Sequence, residues 1–211
     1  MPSMSYYHEP LPGVNLEIVS LDTNVIDAGP TCKWIERFNH QDRNAGWTPR
    51  NRFEPACNEP TCRYTMGQRT RYAFELLRSR VEAARQTGRQ LIVFSHYPSN
   101  WLHAYSHNDG RTFNDLLSTP GVSITYFSGH VHSTDNTTNV NTGLRRHGWN
   151  DFCVGGGGGW ACDDSIWVGG EVGFSPSQGF VAGEIRSDGM VVNLKLEMIP
   201  DKMCCRGNSH G

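Results

Sequence analysis

The chain has 211 residues, of which 37% are hydrophobic and 19% charged, and its formal net charge at pH 7 is −2. This length is sufficient for one domain with a sizeable core. A nearly neutral chain does not point to a nucleic-acid or membrane-surface partner, and no apolar run reaches the length of a membrane span. We therefore expect a single domain over residues 1–211 with no nucleic-acid or membrane partner, and the sequence leaves its oligomeric state open.

The N-terminal part is predicted to contain a strand, a long loop and a helix. Residues 14–24 have a strand pattern that ends at Asp22, which we interpret as a structural hydrogen bonder. Residues 27–66 are loop-like, and a loop of this length is expected to contain short helices. Residues 70–88 carry an apolar stripe opposite Arg and Glu, which predicts a helix that stops at Gly88. The stripe consists of Ala73, Leu77, Val81 and Ala84.

Further elements follow in a strand–helix–strand order. Residues 90–95 form a nearly continuous apolar run, typical of a strand that is covered on both faces. A short helix is expected at 111–117 and a second strand at 122–128, and this order indicates an α/β layer. The later strands are expected at 151–156, 179–186 and 190–198. Ser-Asp-Gly between the last two strands predicts a hairpin.

Seven cysteines and one glycosylation sequon, at Asn136, favour an oxidising, extracytoplasmic compartment. Three disulfides are compatible with the positions of these cysteines: Cys57–Cys62, Cys153–Cys162, and Cys32 with either Cys204 or Cys205. Buried free thiols are the alternative for some of them. No signal peptide is visible at the N-terminus, so we expect a secreted chain whose true start is missing from this sequence.

Histidines follow two of the predicted strands. His96 comes after the strand in VFSHYP, and His130 and His132 come after the next strand in SGHVH. Ligands of α/β sheets bind beyond the carboxyl ends of strands, and imidazole binds Zn and Fe, so these residues predict a metal site. Gly129 is expected to allow a sharp turn before the second pair. For any single histidine, a solvated or structural side chain is the alternative.

These two motifs resemble V-x-x-H and G-H-x-H of the calcineurin-like metallophosphoesterases. The segment LEIVSLDTN resembles the strand that ends in Leu-Asp-Thr in the purple, or tartrate-resistant, acid phosphatase branch. The resemblance extends from about residue 6 to about residue 200. It implies a β-sandwich flanked by helices, within the α/β (α+β) class.

The resemblance also implies a site of two metal ions (Fe, Zn or Mn) that hydrolyses phosphomonoesters. By similarity, His96 and His130 would ligate the second metal and His132 the first. His107, in YSHNDG, lies where related acid phosphatases have a histidine near the leaving group, and it would donate a proton there. The alternative for His107 is a solvated loop residue.

The N-terminal metal motifs of that family are absent from this sequence. They are Asp-x-His, a Gly-Asp-x-x-Asp motif with the bridging aspartate, and Gly-Asn-His-Glu/Asp. We therefore expect the C-terminal portion of the domain, incomplete at the N-terminus, with weak binding of one metal or none and at most trace phosphatase activity. The alternatives are a non-catalytic secreted remnant and a mononuclear metal-binding module of His96, His130 and His132.

Overall fold

The computed structural model describes residues 4–8, 12–29, 31–33, 59–129, 150–153 and 178–199, which have a mixed α/β architecture. The main sheet has five strands in the order β1-β2-β3-β4-β5. They are β1 (Tyr6–His8), β2 (Leu16–Leu21), β3 (Gln90–Ser95), β4 (Ile124–Ser128) and β5 (Asn150–Cys153). Strands β2 to β5 are parallel, and β1 is antiparallel to β2. The predicted α/β class is confirmed at this level.

Helix α1 (Glu59–Thr87) connects β2 with β3 on one face of the sheet. Its buried residues include the whole predicted stripe, and they pack against Val19 and Val93 in one core cluster. Gly88 ends the helix at a φ of +72°, a conformation that favours glycine, and its N–H donates to the Ala84 carbonyl at 2.8 Å. The predicted stripe and stop are confirmed, but the helix begins well before residue 70.

The face of the sheet opposite α1 carries a row of three phenylalanines. Phe94, Phe127 and Phe152 occupy matching positions on β3, β4 and β5, and their rings stack with centroids 5.3 and 5.6 Å apart. Phe94 is 41% exposed. The prediction that β3 is covered on both faces is confirmed for Leu91, Ile92 and Val93, which are buried although they alternate between the two faces, and it fails at Phe94.

Short helices flank the carboxyl edge of the sheet. A 3₁₀ helix (Asn24–Asp27) follows β2, and a second 3₁₀ helix (Ser99–Ala104) follows β3. Helix α2 (Phe113–Leu117) lies within the predicted range and begins after a capping box formed by Thr112 and Asp115. Of the predicted long loop, 34–58 lies outside the described residues.

The last two strands form the predicted hairpin, which is confirmed. They are β6 (Gln178–Ile185) and β7 (Val191–Ile199), paired antiparallel. Their turn lies against the start of β2, where the Asn15 N–H donates to the Ser187 carbonyl at 3.4 Å. A Cβ on Gly189, at a φ of +84°, would lie 1.9 Å from the Asn15 carbonyl oxygen, so only glycine fits there.

The described disulfide joins Cys32 to Cys62. This pairing overturns both Cys57–Cys62 and the pairing of Cys32 with Cys204 or Cys205. Sequence spacing favoured short loops, whereas the fold brings the fully buried Cys32 against the first turn of α1, beside Met66. A disulfide is typical of compartments outside the reducing cytosol. Within the described ranges, no helix is long and apolar enough to cross a membrane.

Candidate functional site

The carboxyl ends of the parallel strands lie in register at one edge of the sheet. Leu21 is paired with Ser95, and Ser95 with Ser128 on the next strand. The residues that follow these positions therefore leave the sheet side by side. They are Asp22, His96 and Gly129.

His96 lies beside Gly129, the residue that precedes His130. The Gly129 N–H donates to the His96 carbonyl oxygen at 3.0 Å, and a Cβ on Gly129 would lie 4.0 Å from His96 Nδ1. The His96 ring is exposed and lies edge-on to Tyr97, with centroids 4.8 Å apart. The structure thus brings the first histidine motif to the start of the second, while His130 and His132 lie outside the described residues.

The sharp turn expected at Gly129 leads into residue 130, which lies outside the described residues, so it stays a prediction. Gly129 does not have a positive φ. A Cβ there would meet the His96 carbonyl oxygen at 3.7 Å, which is an ordinary contact. Neither its φ nor the space around its Cα therefore requires glycine at position 129.

Asp22 directly follows β2 and is buried, and its two carboxylate oxygens have different partners. Its Oδ1 accepts hydrogen bonds from the Asn24 backbone N–H at 3.2 Å and from Asn24 Nδ2 at 2.7 Å. The Asp22 backbone N–H donates to Ser5 Oγ at 2.8 Å. The predicted role of Asp22 as a structural hydrogen bonder is therefore confirmed for its backbone N–H and for Oδ1. Oδ2 has no hydrogen-bond partner among the described residues, and Arg69 Nη1 lies 3.7 Å from it.

A row of hydroxyl groups lines the same edge on the α1 side. Thr23 Oγ1 and Ser95 Oγ are 2.6 Å apart and share a hydrogen bond. Ser128 lies next to Ser95 on β4, is buried, and has no side-chain hydrogen-bond partner in the described part of the chain. These contacts fix the end of β2 to the end of β3.

His107 lies apart from the strand ends in sequence and packs against α1. Its ring stacks on Phe74, with centroids 4.6 Å apart and an interplanar angle of 6°. Nδ1 lies 3.1 Å from Asp109 Oδ1, and Nε2 lies 2.7 Å from Glu75 Oε1, although this second N–H is not aligned for a hydrogen bond. The role of His107 as a proton donor stays a prediction. It requires one ring nitrogen of His107 to give up its contact with Asp109 or Glu75.

Hydrogen bonds from the Arg111 side chain and backbone, and then one from His107, hold the pKa of Asp109 well below its usual range. The same Asp109 contact raises the pKa of the Arg111 guanidinium. The loop that carries His107 is therefore closed by an ion pair between neighbouring residues of the same loop.

Comparisons with protein-family models, with curated proteins and with solved structures found no match to this chain. A functional assignment therefore depends on the residues themselves and on their geometry.

The residues at the carboxyl edge fit a divalent metal ion chemically. Imidazole and carboxylate groups are both ligands of Zn²⁺, and Asp22 Oδ2 is a buried oxygen whose only described cationic neighbour is 3.7 Å away. No cluster of three or more His, Cys, Asp or Glu that could hold a metal occurs within the described ranges. A complete site would therefore also need His130 and His132.

Proposed function

We propose that this chain is the C-terminal portion of a secreted, metal-dependent phosphoesterase of the acid phosphatase type. The observation that carries the proposal is the 3.0 Å hydrogen bond from the Gly129 N–H to the His96 carbonyl oxygen. It supports a shared site because it joins the residue before His130 to the first histidine of the resemblance. Ligands of α/β sheets bind beyond the carboxyl ends of the strands, and imidazole is a common metal ligand, so neighbouring strand ends that each lead into a histidine motif support a metal site.

The row of phenylalanines on one face of the sheet supports a metallophosphoesterase-like sandwich for the whole domain. In a β-sandwich, two sheets pack face to face about 10 Å apart and bury the side chains between them. The stacked row of Phe94, Phe127 and Phe152 is a surface that a second sheet would bury. This row lies on the face opposite α1, where such a sheet would pack.

A bound metal ion and the side chains of the protein would have separate roles in hydrolysis. A bound ion would supply Lewis-acid polarisation of the phosphoryl group of a phosphomonoester. His96, His130 and His132 would hold it, and the bond between Thr23 and Ser95 would keep the neighbouring strand ends in place. His107 is the proposed proton donor to the leaving group. We expect weak metal binding and at most trace hydrolysis, because three neutral imidazoles compensate little of the charge of the ion.

Titration calorimetry with Zn²⁺ or Mn²⁺, followed by a p-nitrophenyl phosphate assay at saturating metal, tests this proposal. We expect weak binding that is lost in His96→Ala and kept in His8→Ala, which removes an exposed histidine of β1. Trace hydrolysis should require the metal and His96. Equal affinity in wild type and His96→Ala would exclude the site, and tight binding of two metals would contradict the expected weakness.

A mononuclear metal-binding module is the second candidate function. It would use only His96, His130 and His132, and the hydrogen bond from the Gly129 N–H to the His96 carbonyl supports it equally, because that bond joins His96 to the residue before His130. This candidate predicts one metal per chain, loss of that metal in His130→Ala, and no metal-dependent hydrolysis. The hydrolysis assay therefore separates the two candidates.

A further inference from the structure

We infer that Asp109 is a positioning residue for His107: it keeps one ring proton on Nδ1 and leaves Nε2 as the nitrogen that gives up a proton. The inference rests on the proposed function in one respect, because it takes His107 as the proton donor to the leaving group. It adds to that role the ring nitrogen that acts and the side chain that selects this nitrogen.

The ring of His107 is held in one plane by its surroundings. One face stacks on Phe74, which is fully buried in the core, with centroids 4.6 Å apart and an interplanar angle of 6°. The His107 backbone N–H donates to the Arg111 carbonyl oxygen at 2.8 Å, and the side chain is only 9% exposed. The stacking and the loop hydrogen bond therefore keep Nδ1 directed towards Asp109 and Nε2 towards Glu75.

The carboxylate of Asp109 can only accept a hydrogen bond from Nδ1. Arg111 donates to Oδ2 from Nε at 2.9 Å and from Nη2 at 2.6 Å, and its backbone N–H donates to Oδ1 at 3.1 Å. These bonds hold the pKa of Asp109 well below its usual range, so the group stays ionised in mild acid. An ionised carboxylate has no proton to donate. The 3.1 Å contact between His107 Nδ1 and Asp109 Oδ1 therefore requires the proton to be on Nδ1.

Nε2 is the nitrogen whose contact can be released. It lies 2.7 Å from Glu75 Oε1, but its N–H is not aligned for a hydrogen bond with that oxygen. Glu75 is also ion-paired with Arg78 on the next turn of α1, and its side chain is 33% exposed, so it can turn towards solvent. A histidine that is held by a carboxylate at Nδ1 and exchanges protons through Nε2 is the arrangement of the Ser-His-Asp triad, where the carboxylate selects the tautomer.

Long-range ¹H–¹⁵N NMR spectra, recorded at a pH where the ring is neutral, show which nitrogen of His107 carries the proton. We expect the proton on Nδ1 in wild type and on Nε2 in Asp109→Asn. The oxygen of the new amide should stay with the Arg111 side chain, so that its NH₂ group faces Nδ1 and can only donate. Asp188→Asn is the matched control and should leave the tautomer unchanged, because Asp188 is likewise ion-paired with an arginine two positions away, Arg186.

Hydrolysis at saturating Zn²⁺ or Mn²⁺ gives a second readout, which a merely structural role of Asp109 would not produce. p-Nitrophenolate leaves with little help from an acid, whereas the alkoxide of glycerol phosphate needs a proton. Asp109→Asn should therefore lower kcat for glycerol phosphate by about tenfold or more, with a smaller effect on p-nitrophenyl phosphate and on KM. An equal fall of kcat for both substrates would overturn the positioning role.

The wild-type spectrum alone can overturn the inference, so the test does not depend on the folding of a variant. A neutral His107 with its proton on Nε2 in wild type, or the same tautomer in wild type and Asp109→Asn, would refute the role of Asp109 whatever the hydrolysis assay shows. The expected tautomers without metal-dependent hydrolysis by wild type would refute the proposed function, and the positioning of His107 by Asp109 would stand.

Discussion

The hydroxyl of Tyr126 donates a 2.6 Å hydrogen bond to the backbone carbonyl oxygen of Tyr97. Both residues are buried, and Tyr97 follows His96 directly. The bond therefore ties the segment after β3 to the neighbouring strand β4, close to the candidate site. Tyr97 also stacks on Trp101, with centroids 6.0 Å apart, which holds the second 3₁₀ helix against the same segment.

Replacing Tyr126 with Phe should lower the free energy of unfolding by about 1 kcal/mol, because it removes this buried bond and little else. Urea denaturation measures the change. Tyr64→Phe is the matched control, since Tyr64 lies on α1 and is 69% exposed. Equal stabilities of the two variants would show that the Tyr126 bond does not stabilise the fold.

Glu17 should be the most important charged side chain of the sheet for stability. It is 1% exposed on β2, and its two carboxylate oxygens face Arg80 Nε at 3.0 Å and Arg89 Nη1 at 3.3 Å. Arg80 also lies over the Tyr7 ring, 4.2 Å from its centroid. The Arg80 contact is an ion pair whose N–H is poorly aligned for a hydrogen bond.

Glu17→Gln should therefore lower the free energy of unfolding by roughly 2 kcal/mol, because two partly buried guanidinium groups lose their counter-charge. Chemical denaturation measures this loss. Glu82→Gln on the exposed face of α1 is the control and should leave stability unchanged, since surface ion pairs contribute little. A loss in Glu82→Gln as large as that in Glu17→Gln would contradict the prediction.

The ion pair of Asp109 and Arg111 should give a pH-dependent contribution to stability. Arg111 donates from Nε at 2.9 Å and from its backbone N–H at 3.1 Å, which lowers the pKa of Asp109 below the ordinary 3.8. Because the folded-state pKa is depressed, this contribution is complete above about pH 4 and is lost as the pH falls through the folded-state pKa.

Carbon NMR of the side-chain carboxyls should therefore show Asp109 ionised below pH 3.8 in wild type. Arg111→Gln should raise the pKa of Asp109 towards its ordinary value. Glu82 is the internal reference, because Arg85 and Gln86 lower its pKa independently of Arg111. Titration of Asp109 at its ordinary pKa in wild type would rule out the ion pair in solution.

The disulfide between Cys32 and Cys62 should stabilise the fold by constraining the unfolded chain. The two residues are 30 positions apart, and closing a loop of this size contributes roughly 3–4 kcal/mol. Cys32→Ala combined with Cys62→Ala should lose about this much in a denaturation experiment, whereas Cys57→Ala should lose nothing. Peptide mapping under non-reducing conditions that finds Cys57 joined to Cys62 would overturn the pairing.

Much of the fold could be predicted from local patterns. The stripe of α1, the apolar runs of β3 and β4, and the hairpin turn before Gly189 depend on side chains a few positions apart, which is the range that periodicity reports. The position of His96 was predictable for the same reason, since it directly follows an apolar strand. Contacts between distant segments were not predictable in this way, as the corrected pairing of Cys32 shows.

The sequence by itself determined the order of the main strands and helices and the strand-end position of His96, and it led to the prediction of an acid phosphatase-like family. Only the tertiary structure decided that Asp22 emerges beside His96, because that depends on the parallel register of Leu21 with Ser95. It also decided that Phe94 is partly exposed, because a run of apolar residues does not specify which face a helix will cover. Register and coverage depend on packing between segments far apart in the chain, which local sequence patterns do not encode.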